Sequence, residues 1–295
     1  MYGNNTLWCN KHFISGNGYK QIFFSYFIYS VPFVLMIIVL IKINNNLDSL
    51  PMIIILSLLY ILAIILMLRG GFTDPGIIPR MKDYFDWNPK NVSIKKVVNG
   101  HLLIYTFCYT CLIWRPPRTS HCAVCDNCTE RFDHHCMWLG ICIGKRNYKF
   151  FYTYLFTLNI TACLEIGYSI YLIVSSVKDD EGKKENFKLL IIICNSIVIF
   201  IDLMFLLFFL GKLFILHTYL LFKNSTFYEY FKKKFPIINP FTKTIAQHIY
   251  RIIFKFNPNP NLILNGNKKE IYKTESNDGL NELVKYNYQQ TKDSG

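Results

Sequence analysis

The stretch "RFDHHCMWLGIC", residues 131–142, sets an acid, two imidazoles and a thiol side by side at Asp133, His134, His135 and Cys136. Histidine and cysteine are zinc's preferred ligands, and they are equally a base and a nucleophile. Which role each takes depends on the residues around them. Ten candidate ligands lie between Cys108 and Cys142, and two four-coordinate zinc sites would use eight. Cys108, Cys111, His121 and Cys128 follow C-x2-C-x9-H-x6-C. Cys122, Cys125, His135 and Cys142 repeat that pattern 14 residues later. Two interleaved copies of one ligand set leave His134 and Cys136 unassigned. A count of ligands alone also permits a scheme in which Cys136 ligates and Cys128 is free; the repeat speaks against it. Each set is full, with no open position for substrate or water, so the zinc expected here is structural.

Outward from this cluster the chain turns apolar. It has 295 residues, 52% of them hydrophobic, yet a formal charge of +13. Membrane spans with Lys and Arg outside them reconcile the two. Four apolar runs fit that reading: Gln21–Ile43, Met52–Leu68, Phe150–Val177 and Leu189–Leu210. A spanning helix needs about 20 residues. Segment 69–149 holds 12 Lys and Arg and the tail from Gly211 holds 13, whereas the loop 44–51 has none. The loop 178–188 has four Lys offset by four acids. Cationic excess faces the cytosol, which predicts a cytosolic N-terminus (1–20), a cytosolic central region (69–149) and a cytosolic tail (211–295). No cleavable signal is evident ahead of the first run. Seven of the ten cysteines fall within 35 residues of the expected cytosolic region, where disulfides rarely persist, so metal is the better reading. Cys163 and Cys194 read as small apolar packers.

The unassigned thiol sits two residues after His134, so an extended or turning segment lets both side chains face one way. A neighbouring imidazole lowers a thiol's pKa, and Asp133 can fix the imidazole tautomer as the third member of a triad. The competing reading makes Asp133 a turn cap and His134 a donor to a zinc thiolate. Cys136 lies 14 residues before the third apolar run, which places it at the membrane surface. A substrate suited to that place has an apolar tail and a polar head, as a long-chain acyl-CoA does. Acyl transfer through a cysteine thioester is the reaction expected.

"CYTC" at 108–111, "RPPRTSHCAVCDNC" at 115–128, "DHHC" at 133–136 and "CIGKRNYKFF" at 142–151 resemble the cysteine-rich domain of the DHHC-type protein S-acyltransferases, the palmitoyltransferases. "DPG" at Asp74–Gly76 resembles the family's motif after the second span. The resemblance implies an all-α polytopic membrane protein with four transmembrane helices (21–43, 52–68, 150–177, 189–210) and a cytosolic cysteine-rich domain, about 106–150, binding two Zn2+. It implies a ping-pong reaction in which Cys136 takes an acyl group, palmitoyl above all, from acyl-CoA and passes it to a cysteine of a membrane-associated substrate protein. His134 would be the base and Asp133 its orienting partner. An endomembrane location, Golgi or ER rather than plasma membrane, goes with it. A non-catalytic zinc-bearing adaptor and an acyl-CoA thioester hydrolase are the alternatives.

The chain departs from the family's pattern at Met137, Ile141 and Phe227, the last lying within Thr226-Phe227-Tyr228-Glu229 where the family has Thr-Thr-x-Glu. Its tail motif survives in part as "NPF" at 239–241 and "IFKFNP" at 253–258. Arg118, Lys145, Arg146 and Lys149 flank the cluster and are expected to meet CoA phosphates or lipid head groups. Glu165 and Asp202 fall in the middle of the third and fourth spans, where acids are costly and face the bundle interior. Ile245, Ile249, Ile252 and Phe256 recur at helical spacing, which predicts an amphipathic helix on the bilayer, and 257–295 reads as disordered. Nucleic acid is not an expected partner, because the cluster lacks finger-type spacing and the membrane accounts for the charge.

Overall fold

The computed structural model describes residues 3–9, 13–43, 49–80, 95–98, 101–178, 185–235 and 239–241. The expected amphipathic helix, the polar end and the motif at 253–258 lie outside them.

A hairpin of β1 (Thr6–Trp8) and β2 (Phe13–Ser15) leads into α1 (Lys20–Ile43) and α2 (Leu50–Phe72). Nine short strands follow: β3 (Ile77–Ile78), β4 (Lys95–Val98), β5 (His101–Ile104), β6 (Thr106–Cys108), β7 (Ile113–Arg115), β8 (Ser120–Cys122), β9 (Asn127–Thr129), β10 (His134–Cys136) and β11 (Ile141–Ile143). Then come α3 (Tyr148–Lys178), α4 (Glu185–Phe205), one π-helical turn (Leu206–Leu210), α5 (Gly211–Phe222) and the short α6 (Phe227–Phe231). The chain is thus mostly helical, with a strand-built cysteine-rich module between α2 and α3.

Four helical segments are long and apolar enough to cross a membrane: Lys20–Ile41, Leu50–Phe72, Tyr148–Lys178 and Asn186–Phe222. Their apolar residues point both ways. Met36, Leu40, Leu56, Leu172 and Val198 pack together inside, while Phe23, Phe27, Leu58, Phe200 and Ile215 are exposed. A helix apolar all round suits lipid as its outer solvent.

Two helices outrun the apolar runs read from sequence. α2 continues through Arg69-Gly70-Gly71-Phe72 because the glycines admit close neighbours. A Cβ on Gly71 would stand 2.4 Å from Ile22 Cδ1, and one on Gly70 would stand 3.2 Å from Leu139 Cδ1. α2 therefore packs tightly under α1 and the β10–β11 connection. The fourth apolar helix continues past Leu210 to Phe222, 37 residues or roughly 55 Å at 1.5 Å per residue, against a hydrocarbon core of about 30 Å. Gly211 and Lys212 read in sequence as its end, yet they only mark the π turn. There the Gly211 N–H bonds the Leu206 carbonyl, and Asn159 Nδ2 donates to the Leu210 carbonyl at 3.5 Å. The extra residue of a π turn re-aims everything after it. Asp202 before it and His217 after it both end up buried.

The module is fastened to the helices by polar side chains. Asp74 Oδ1 accepts from Gly76 N and Ile77 N at 2.8 Å, and Gly76 takes the positive φ of +116° that this turn requires. β3 then pairs with β9, which carries Cys128. Asn147 donates to the carbonyls of Gly70 and Cys142 and accepts from Gly144 N, which joins α2, β11 and the start of α3.

Candidate active site and metal clusters

Each ligand set is built from the same two parts. A C-x2-C turn supplies two sulfurs, and the residue after its second cysteine turns the chain with positive φ, Leu112 at 55° and Asp126 at 51°. A hairpin supplies the other two ligands as a cross-strand pair, His121 opposite Cys128 in β8–β9 and His135 opposite Cys142 in β10–β11. Directly opposed residues have Cβ atoms about 5 Å apart, within reach of one ion.

The donor atoms of Cys108, Cys111, His121 and Cys128 lie within 4.8 Å of one another, as do those of Cys122, Cys125, His135 and Cys142. Tetrahedral zinc with bonds of about 2.3 Å to sulfur and 2.0–2.1 Å to nitrogen requires S···N separations of about 3.6 Å. His121 Nδ1 lies 3.4 Å from Cys111 Sγ and 3.9 Å from Cys128 Sγ. His135 Nδ1 lies 3.3 Å from Cys125 Sγ and 3.8 Å from both Cys122 and Cys142. Both clusters can hold a metal of zinc's size.

Strand alternation divides the "DHHC" residues. Successive side chains on β10 point to opposite faces, so His135 faces its metal set while His134 and Cys136 share the other face. Cys136 is buried and joins neither ligand set; Cys128 sits within the first. His134 Nδ1–H donates to Asp133 Oδ2 at 2.7 Å, and Cys136 neighbours the same imidazole closely enough to favour its charged form. Burial of His134 opposes its charge, but Asp133 and Cys136 outweigh that and lift its pKa to about 10. Burial likewise opposes charge on Asp133, yet the bonds from His134 and the Phe227 N–H, with the nearby His217, hold it below the usual carboxylate range.

α6 supports this acid from behind. Phe227 N donates to Asp133 Oδ1 at 2.9 Å, and Tyr228 N donates to the Asp133 carbonyl. Thr226 caps α6 in a reciprocal pair with Glu229. The bond at position 227 comes from the main chain, so a phenylalanine there leaves it intact. The Phe227 ring packs on His134 and His217 instead.

The flanking cations are engaged inside the protein. Arg118 meets Glu229 through Nε and Nη2, both at 2.7 Å, and bonds Asn224 as well. Lys145 pairs with Glu130 and Arg146 with Asp74. The sequence reading offered all three to CoA phosphates or lipid head groups; recognition there would have to share or displace these carboxylates.

Cys136 opens on a cavity of about 460 Å³ bounded by α1, α3 and the fourth helix. Its wall on α3 is Phe151, Tyr154, Leu155, Leu158 and Ala162, a stripe at helical spacing that ends on Glu165. Asp202 and Glu165 both line it there, and Glu165 Oε1 and Asp202 Oδ2 have no hydrogen-bond partner among the described residues. Trp138 forms the rim beside Cys136. His217, which the sequence gave no reason to select, completes a third group with Asp133 and His134 whose polar atoms lie within 4.8 Å.

Residues 103–234 match the family model of the DHHC palmitoyltransferase. The chain is 42% identical over 127 residues to Palmitoyltransferase ZDHHC18-B of Danio rerio, covering 38% of this chain and 33% of that protein. It is 35% identical over 206 residues to Probable protein S-acyltransferase 6 of Arabidopsis thaliana, covering 65% and 50%. Against Probable protein S-acyltransferase 7 of Arabidopsis thaliana it is 30% identical over 277 residues, covering 87% and 62%. The chain thus spans from about a third to under two thirds of the length of these curated relatives. With the ligand pattern, the Asp133–His134–Cys136 constellation and the four long apolar helices all in place, residues 103–234 are a DHHC palmitoyltransferase domain set among those helices.

Proposed function

We propose that the chain is a membrane-embedded protein S-acyltransferase that moves a long-chain fatty acyl group, palmitoyl above all, from acyl-CoA to a cysteine of a substrate protein. One observation carries this reading: Cys136 is excluded from both ligand sets, shares a strand face with a histidine that Asp133 orients, and is open to an apolar cavity.

In the first step the Cys136 sulfur, its proton held by His134, attacks the thioester carbonyl. The bond from Cys136 Sγ to the acyl carbon forms, the bond to CoA sulfur breaks, and CoA leaves with the proton from His134. In the second step His134 takes the proton of the incoming protein thiol. That sulfur attacks the acyl carbon and Cys136 leaves as thiolate. Asp133 keeps Nδ1 of His134 protonated throughout, so Nε2 stays the basic nitrogen. The α3 stripe and the facing helix bury the acyl tail at about 0.8 kcal/mol per methylene. Zinc held by the two ligand sets would cross-link the module and offers no open position for chemistry.

The Lys and Arg distribution supports a cytosolic face for the site and for both termini. Substrates would then be membrane-associated proteins with cytosolic cysteines, and an endomembrane such as Golgi or ER suits the reaction.

Intact-mass measurement of the purified full chain with palmitoyl-CoA tests the proposal. An adduct of one acyl group, released by hydroxylamine and missing in Cys136→Ser, is expected, followed by transfer to an acceptor cysteine. No adduct at all would leave a zinc-bearing adaptor; release of free fatty acid with no transfer would mark a hydrolase.

A further inference from the structure

His217 on α5 is fully buried, yet the thioester chemistry above makes no use of it. Its two ring nitrogens have unequal surroundings. Nδ1 lies 3.3 Å from Tyr148 Oη and 4.0 Å from Asp133 Oδ2. Nε2 has no hydrogen-bond partner among the described residues. The ring stands 5.7 Å from that of His134, meets Phe151 edge-on at 5.0 Å and stacks on Phe227 at 6.1 Å. Its Nδ1 faces Asp133 Oδ2, the same oxygen that accepts from His134.

Packing alone would be served by any ring of this size. A histidine there leaves a buried nitrogen unpartnered, a cost that a phenylalanine would avoid. What it supplies in exchange is on the Nδ1 side, which faces a tyrosine oxygen and a carboxylate. An N–H at Nδ1 directs positive charge toward Asp133. It also leaves the unpartnered Nε2 as an acceptor, the less costly orphan of the two.

We propose that His217 is a positioning residue for thioester formation: through Nδ1, and together with Tyr148, it closes the back of Asp133 and holds the carboxylate aligned on His134. The inference rests on the acyltransferase reading above. His217 touches neither the thiol nor the acyl group, so it acts through Asp133 alone. It reaches the site from a helix lying 84 residues beyond Asp133 in sequence (217 − 133). The fourth apolar helix thereby sets the geometry of the reacting histidine.

Two amide substitutions separate the ring nitrogens. In His217→Asn the amide N–H falls where Nδ1 was; in His217→Gln it falls near Nε2. The rate of thioester formation on Cys136 is followed under single-turnover conditions with palmitoyl-CoA, and bound metal is measured in each variant. His217→Asn is expected to keep most of the rate. His217→Gln is expected to lose about tenfold to a hundredfold, the range that misplacing a catalytic group by about 1 Å produces. The acyl-CoA concentration at half-maximal rate should stay unchanged, because His217 itself does not line the acyl cavity. Equal rates for the two variants, or a loss that appears only as weaker acyl-CoA binding, would overturn the assignment. A metal-depleted His217→Asn would also overturn it, since a purely structural role would then be shown. If the unsubstituted chain forms no Cys136 thioester, the acyltransferase reading fails first, and that outcome is distinct from a functional enzyme indifferent to position 217.

Discussion

At Cys136 and its neighbours the consequences of single substitutions separate cleanly. Cys136→Ser removes the sulfur proposed to attack and no member of either ligand set, so both metals and the thermal transition should remain while thioester formation disappears. Cys122→Ser removes one of four ligands, and structural zinc in small peptides contributes about 10–16 kcal/mol of apparent binding energy. Loss of metal, of the thermal transition and of activity together is expected there, read by metal analysis and melting. Asp133→Asn tests orientation rather than ligation. Asn can donate where Asp only accepts, so the His134 tautomer is no longer fixed, and a loss of about 10²–10⁴-fold in rate with both metals kept is expected by analogy with catalytic triads. Much at this scale was legible beforehand. The repeated spacing isolates His134 and Cys136, and strand alternation on β10 is the physical reason it does so. His217 was not legible, because one histidine in an apolar run reads as a buried packer until the fold brings it to Asp133. The partners of Arg118, Lys145 and Arg146 were hidden for the same reason: Glu229 lies 111 residues from Arg118.

Among the α-helices, α6 is the shortest and carries a large share of the site's support. It is five residues long, far too short to be helical alone, and is held by Thr226 at its cap and by the buried Arg118–Glu229 pair. Glu229→Ala leaves Arg118 with an unpaired charge at a site where both side chains are less than a tenth exposed. Breaking a buried pair from one side costs about 3–5 kcal/mol. A lowered melting temperature and slower thioester formation are expected together, since the Phe227 N–H leaves Asp133 when α6 detaches. An unchanged melting temperature would contradict this account of the pair. The sequence motif identified this segment but not its mode of action, which depends on a main-chain donor that side-chain identity does not reveal. The fourth apolar helix runs past the apolar stretch read from sequence for a related reason. Gly211 and Lys212 look like a stop, whereas the π turn keeps the backbone bonded through them.

Over the whole molecule, the apolar runs were readable because lipid tolerates little else, while the cavity they enclose depends on which helix faces pack together. Glu165 and Asp202 close its far end. Asp202→Leu places a bulkier side chain at that floor and should shift the preferred acyl length downward, by about fourfold in relative rate per methylene no longer buried if each contributes about 0.8 kcal/mol. Competition between acyl-CoAs of different length reads this directly; abolished acylation in a well-folded variant would contradict it. The adjacency of His134 and His135 carries a last implication. A slip of one residue in the β10–β11 register would turn every side chain over and exchange the two imidazoles. A metal bound there would thus serve as an index pin as well as a brace. A chain stripped of it has lost the mark that tells one histidine from its twin, and recovery on adding metal back depends on the hairpin first finding its place.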